Sequence, residues 1–246
     1  MATRSPASTA NETSRTMVSN PSGLLTCLLR FSTLRTTSRL VCAWALGVCC
    51  WLIAIADATG APDRTILVLG DSLSAGYGIK PAQGWVALLE QRLRAQGYEY
   101  RVVNASVSGE TSGGGLQRLP RALELHRPAV VIVELGANDG LRGLSVPLTS
   151  DNLTKIVGES KQAGAQVVLV GMRLPPNYGP RYTNDFMRMY REIATAGKVA
   201  LVPFLLQSVA LNPALMQGDG LHPTAPAQPA LLDTVWPQLK PLLKSR

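Results

Sequence analysis

The sequence predicts an α/β fold of three layers, with helices on both faces of a five-stranded parallel sheet. Two observations carry that prediction. From residue 64 onward, short apolar runs alternate with longer amphipathic stretches in the order βαβαβαβαβα. The apolar runs are continuous in Val, Ile and Leu rather than alternating with polar residues, as strands buried on both faces require.

The strand-like runs cover residues 65–69, 100–104, 130–134, 166–170 and 200–204. The first helix, 85–96, sets Trp85, Leu88, Leu89 and Leu93 on one face and stops at Gly97. The second, 116–125, follows the glycine run 113–115. A third spans 148–163 before Gly164, and a fourth 184–196 before Gly197. The last covers 228–239 and is entered through Pro223, Pro226 and Pro229. Right-handed crossovers then bring every strand's carboxyl end to one edge of the sheet. There is no internal repeat and no inner linker.

The chain ahead of this pattern differs in character. Residues 1–39 hold five Arg and one acid, Glu12, amid many Ser and Thr, and residues 40–56 carry no charge. With Ala56-Asp57-Ala58 as a small-residue cleavage site, residues 1–58 read as a leader with a secretory signal peptide. That places the protein in the periplasm or outside the cell, with residues 59–246 as a single domain. Two alternatives stay open: a membrane anchor at 40–56, which is short for a span, and an organelle transit peptide. All four cysteines (27, 42, 49, 50) lie in the leader, so the domain has neither a disulfide framework nor a cysteine nucleophile.

The formal charge of +8 falls to +5 without the leader, and its basic residues are scattered. Nucleic-acid binding calls for a basic stripe with interleaved aromatics, which is absent. Mild attraction to an anionic lipid surface is compatible with the charge. Oligomeric state is not legible.

The chemistry lies in the loops that leave the strands. Gly70-Asp71-Ser72-Leu73 ends the first run, and Asn104 to Thr111 follows the second. Gly136-Ala137-Asn138-Asp139-Gly140 follows the third, and Gly218-Asp219-Gly220-Leu221-His222 lies beyond the fifth. A serine hydroxyl needs a base and an orienting acid to attack a carbonyl. The domain has two histidines, His126 and His222. His222 follows Asp219 by three residues, a spacing that lets the carboxylate reach Nδ1–H and leaves Nε2 as base. His126 sits in an ordinary position before Arg127-Pro128. The Ser72 and Gly109 N–H groups and the Asn138 amide offer three donors for an oxyanion hole.

Other chemistries lack their motifs. Position 74 is Ser, so Ser72 is not in a G-x-S-x-G elbow. Neither G-x-G-x-x-G nor a phosphate-binding Walker sequence occurs. No cofactor is called for, and no His/Cys/Asp/Glu cluster has metal-ligand spacing.

These loops resemble the sequence blocks of the GDSL, or SGNH, hydrolases, with Ser72, Gly109, Asn138 and His222 at the four signature positions and Asp219 as the acid. Segments 70–78, 104–119, 134–143, 171–182 and 218–236 resemble the bacterial arylesterase, acyl-CoA thioesterase I and lysophospholipase subgroup. The stretch Arg173-Leu174-Pro175-Pro176-Asn177-Tyr178-Gly179 is typical of it. The resemblance spans 64–243, with one departure, Ala137, where the subgroup often has glycine.

The resemblance implies a flavodoxin-like sheet and a serine hydrolase that cleaves acyl esters or thioesters through an acyl-serine intermediate. It also implies a mobile loop at 140–145 whose Leu141 and Leu144 line an acyl groove. The expected partner is a small acyl ester or thioester. A carbohydrate acetyl esterase and a non-catalytic flavodoxin-like binding module are the alternatives.

Overall fold

The computed structural model describes residues 64–244. The leader, its apolar region 40–56 and the four cysteines lie outside the described residues. The described chain forms a five-stranded, wholly parallel sheet in the order β2-β1-β3-β4-β5. The strands are β1 Arg64–Gly70, β2 Tyr100–Asn104, β3 Val130–Glu134, β4 Gln166–Val170 and β5 Ala200–Val202. Three coincide with the sequence reading. The fifth stops at Val202 because Pro203 has no N–H to donate to the ladder.

Seven α-helices flank the sheet in the described residues: α1 Ser72–Ala75, α2 Trp85–Ala95, α3 Ser112–His126, α4 Ala137–Leu141, α5 Val146–Gln162, α6 Pro180–Gly197 and α7 Gln228–Leu239. Helices α2 and α7 pack together, and α3, α5 and α6 pack in sequence as a second group. Ile66 to Leu69 of β1 and Val131 to Val133 of β3 are wholly buried, which is why those runs are continuous.

Differences from the sequence reading come from helix starts. Helix α3 begins four residues early because the Thr111 hydroxyl accepts from the Gly114 N–H, making the glycine run its first turn. His126 is then the last residue of a helix, not part of a loop. Pro147 and Pro180 sit in the first turns of α5 and α6 and extend both upstream. Ala137 to Leu141, read as a glycine loop, forms a helical turn.

The chain runs from β1 outward to β2 and then crosses back to β3 on the far side of β1. This reversal opens a crevice beyond the carboxyl ends of the strands, where open α/β sheets bind ligands. Ser72 follows β1, Gly109 follows β2 and Asn138 follows β3.

Candidate active site

Ser72 is the first residue of α1, directly after β1. Its turn is set by Asp71, whose Oδ1 accepts the Leu73 N–H at 3.0 Å as the helix cap. Gly70 is obligatory for another reason: a Cβ there would lie 2.8 Å from both the Glu134 carboxyl and the Ser74 hydroxyl. The serine is thus presented over a tightly packed strand end. Being at the first helical position, its N–H has no intrahelical acceptor.

His222 and Asp219 complete a hydrogen-bonded chain. Ser72 Oγ lies 2.8 Å from His222 Nε2, and His222 Nδ1 lies 2.6 Å from Asp219 Oδ2. The other Asp219 oxygen accepts the backbone N–H groups of Leu221 and His222, at 2.9 and 3.0 Å. These bonds, led by that to the imidazole, hold the Asp219 carboxyl down at about 2. An ionised Asp219 favours the tautomer with Nδ1–H, which leaves Nε2 to accept the serine proton. The Tyr77 ring packs on the imidazole with centroids 4.6 Å apart. His126, at the far end of α3, has no part in this group.

Gly109 adopts φ +79°, a left-handed conformation that a side chain would strain. Its carbonyl oxygen accepts from Arg142 at 2.9 Å. Asn138 stands in α4, started by Gly136 at φ +109°, where a Cβ would meet the Tyr190 hydroxyl at 2.4 Å. The Asn138 amide nitrogen donates to the Glu110 carbonyl at 2.9 Å and to Asp71 Oδ2 at 3.2 Å. Its orientation is therefore held by the residue just before Ser72.

Three acids that sequence reasoning passed over organise this arrangement. Glu134, wholly buried, accepts from Ser74 Oγ at 2.6 Å and from the Asp71 N–H at 3.3 Å. Burial, reinforced by the neighbouring Asp71 charge, pushes its carboxyl well above the ordinary range. Asp71, 1% exposed, is pushed up to about 6 by burial. Buried Asp139 accepts from both the backbone N–H and the hydroxyl of Ser112, tying α3 to α4. A carboxylate closing the apolar run Val130–Glu134 was the one visible signal.

The serine, the histidine, Gly109 and Asn138 open onto one cleft of about 720 Å³. Its walls are largely apolar and include Leu141, Met172, Leu174, Phe204 and Met216. Leu144 does not line the cleft; it is an exposed residue of the turn before α5. The loop 140–145 is tied down at its carbonyls, Leu141 accepting from the Tyr178 hydroxyl at 2.8 Å, and Leu144 and Gly140 from the Tyr182 hydroxyl at 2.7 and 3.4 Å. Ala137 also reaches the cleft wall.

The GDSL-like Lipase/Acylhydrolase family model matches residues 68–228. The chain is 51% identical over 201 residues to Esterase TesA of Pseudomonas aeruginosa, covering 82% of this chain and 99% of that protein. It is 44% identical over 193 residues to the thioesterase 1, protease 1 and lysophospholipase of Escherichia coli, covering 78% and 91% of the two chains. Among solved structures, the crystal structure of TesA aligns with TM-score 0.72 at 54% identity, over 73% of this chain and all of that one. The Pseudoalteromonas esterase EstA, in a structure inhibited by monoethylphosphonate, aligns with TM-score 0.70 at 44% identity, over 73% and 98%. The family model spans the whole Ser72 cleft, and the chain belongs to the GDSL-like lipase/acylhydrolase family as an ester-cleaving serine hydrolase.

Proposed function

We propose that the enzyme cleaves medium- to long-chain acyl esters and thioesters, with Ser72 as nucleophile, His222 as base and Asp219 as the residue that orients it. The observation that supports this most directly is the unbroken chain from Ser72 Oγ to His222 Nε2 and from His222 Nδ1 to Asp219, at 2.8 and 2.6 Å, beside an apolar cleft. Ser72 Oγ bonds to the acyl carbon as its proton passes to Nε2, and the carbonyl oxygen becomes the oxyanion. The Ser72 and Gly109 N–H groups hold that charge together with the Asn138 amide, which turns one N–H from the Glu110 carbonyl or Asp71 Oδ2 onto the oxyanion; each donor contributes on the order of 3–4 kcal/mol. Collapse breaks the bond to the leaving alcohol or thiol, which takes its proton from His222. Water then attacks the acyl-serine by the same route. The phosphonate-inhibited relative fits an activated serine of this kind.

The apolar walls favour an acyl chain over an acetylated sugar. Tyr77, Leu211 and Leu221 line the mouth while standing 54%, 97% and 40% exposed, a rim suited to contact with aggregated lipid. Leu141 contacts the acyl chain in this reading, and Leu144 serves only the turn. Residues 1–58 act as the export leader and 59–246 as the single catalytic domain, so the enzyme works outside the cytoplasm.

The test is a panel of p-nitrophenyl esters from acetyl to palmitoyl, with acyl-CoA and lysophospholipid included. Each buried methylene contributes about 0.8 kcal/mol, or roughly fourfold, until the groove is full. Specificity constants are expected to climb at about that rate from acetyl upward. Activity confined to acetyl esters would instead favour the carbohydrate acetyl esterase.

A further inference from the structure

The base and its acid ride on a segment with little regular structure, between the 3₁₀ turn Pro213–Leu215 and the turn that begins at Ala225. Backbone hydrogen bonds close this segment on itself, with the Thr224 N–H donating to the Leu215 carbonyl at 2.8 Å and the Gly220 N–H to the Gln217 carbonyl at 2.9 Å. Met216 and Pro223 form an isolated antiparallel bridge, and the Gln217 N–H donates to the His222 carbonyl at 2.7 Å. Those contacts shape the loop but do not fix it against the Ser72 turn. A loop that carries a base must be located to a fraction of an ångström, because a misplacement of about 1 Å costs on the order of 10²-fold in rate.

The Gln217 side chain supplies that missing registration. Its Nε2 donates to the Tyr77 carbonyl at 2.8 Å and to the Pro223 carbonyl at 3.0 Å. The first acceptor is on the segment that begins with Ser72, and the second directly follows His222. Apart from the bond between Ser72 and His222, it is the one hydrogen bond joining residues 71–79 to residues 213–224 among the described residues. The receiving turn is shaped to admit it. Gly78 has φ +74°, and a Cβ there would lie 2.1 Å from the Gln217 carboxamide oxygen. The Tyr77 carbonyl that Gln217 grips belongs to the residue whose ring packs on the imidazole.

We propose that Gln217 is a positioning residue for acyl transfer: its carboxamide latches the loop bearing Asp219 and His222 to the Tyr77-Gly78 turn and so sets the approach of Nε2 to Ser72 Oγ. The proposal rests on the roles given above to Ser72 and His222. It couples Gly78 to Gln217, since a side chain at position 78 would strike the carboxamide besides straining the backbone at φ +74°.

A double-mutant cycle on the full chain, with a soluble short-chain p-nitrophenyl ester, tests it. Gln217→Ala is expected to lower kcat about 10- to 100-fold with KM within about twofold, because the base moves while the cleft walls stay. Gly78→Ala, which expels the same carboxamide, is expected to give a loss of similar size. In the double variant the combined loss is expected to fall short of the product of the two, since the atom the new methyl strikes is gone and only the backbone strain at φ +74° remains. A melting temperature measured for each variant confirms that the assayed protein is folded. Wild-type kcat in Gln217→Ala, or losses that multiply in the double variant, overturns the latch while leaving the triad in place. Full activity in Ser72→Ala would overturn the roles on which the latch rests.

Discussion

Replacing Asp71 by Asn is expected to make this enzyme more stable above neutral pH and much less active. Asp71 is 1% exposed, and burial raises its carboxyl from 3.8 to about 6. A carboxyl whose folded value lies above its unfolded value stabilises most when protonated. Its contribution is complete below the unfolded value and is lost as pH rises through the folded one. The gap of about two units corresponds to roughly 3 kcal/mol, absent near pH 4 and fully expressed near pH 8. Asparagine is neutral throughout and keeps an oxygen to accept the Leu73 N–H, so the variant escapes that cost. What it loses is the acceptor for Asn138 at 3.2 Å, a penalty that does not depend on pH. Urea unfolding at several pH values separates the two effects: the stability difference between variant and wild type should grow by about 3 kcal/mol between roughly pH 4 and pH 8. In thermal melts that corresponds to about 6–12 °C for a domain of this size. With Asn138 released from its orientation, kcat is expected to fall by up to about 10²–10³, the worth of one oxyanion donor. Parallel stability curves for the two proteins would refute a buried, charged Asp71.

Two further substitutions probe the neighbouring parts. Asp219→Asn is expected to lower kcat by on the order of 10⁴ with little change in KM, since the amide no longer selects the Nδ1–H tautomer; steady-state kinetics on a soluble ester reads it. The Asp219 carboxyl is held at about 2, so any stability it lends is present above the usual carboxylate range and lost as pH falls toward that value. With 39% of its side chain exposed, solvent keeps that contribution small. Gly70→Ala drives a methyl to 2.8 Å from the Glu134 carboxyl and from Ser74. It is expected to cost about 1–3 kcal/mol in urea unfolding and to lower kcat by displacing the Ser72 turn.

The parts legible in the sequence share one property: they are set by local pattern. Strands β2, β3 and β4 were found to the residue because burial on both faces leaves an uninterrupted apolar run bounded by turn residues. Ser72, Gly109, Asn138, Asp219 and His222 were legible because each stands in a short block beyond a strand end, and the fold brings those blocks to one edge. Helix starts were less legible, since side-chain caps such as Thr111 turned a glycine run into helix. The acids behind the site were visible as residues, Glu134 closing an apolar run and Asp71 and Asp139 standing in the blocks, but their contacts were not legible. Glu134 meets Ser74 and Asp71 across about sixty residues of sequence, and nothing in either segment announces the other. Gln217 and Tyr77 are separated by 140 positions, so the latch emerges only when the loops are folded together. Leu144 shows the opposite error: a leucine in the right loop that the turn before α5 leaves outside the cleft.

The most direct measurement is covalent capture. Wild-type enzyme incubated with a fluorophosphonate should gain one phosphonyl group, located by peptide mass spectrometry on Ser72, in step with loss of esterase activity. Ser72→Ala should gain no label and hydrolyse no ester while keeping the wild-type circular dichroism spectrum. Label on another residue, or turnover surviving in folded Ser72→Ala, would contradict the account.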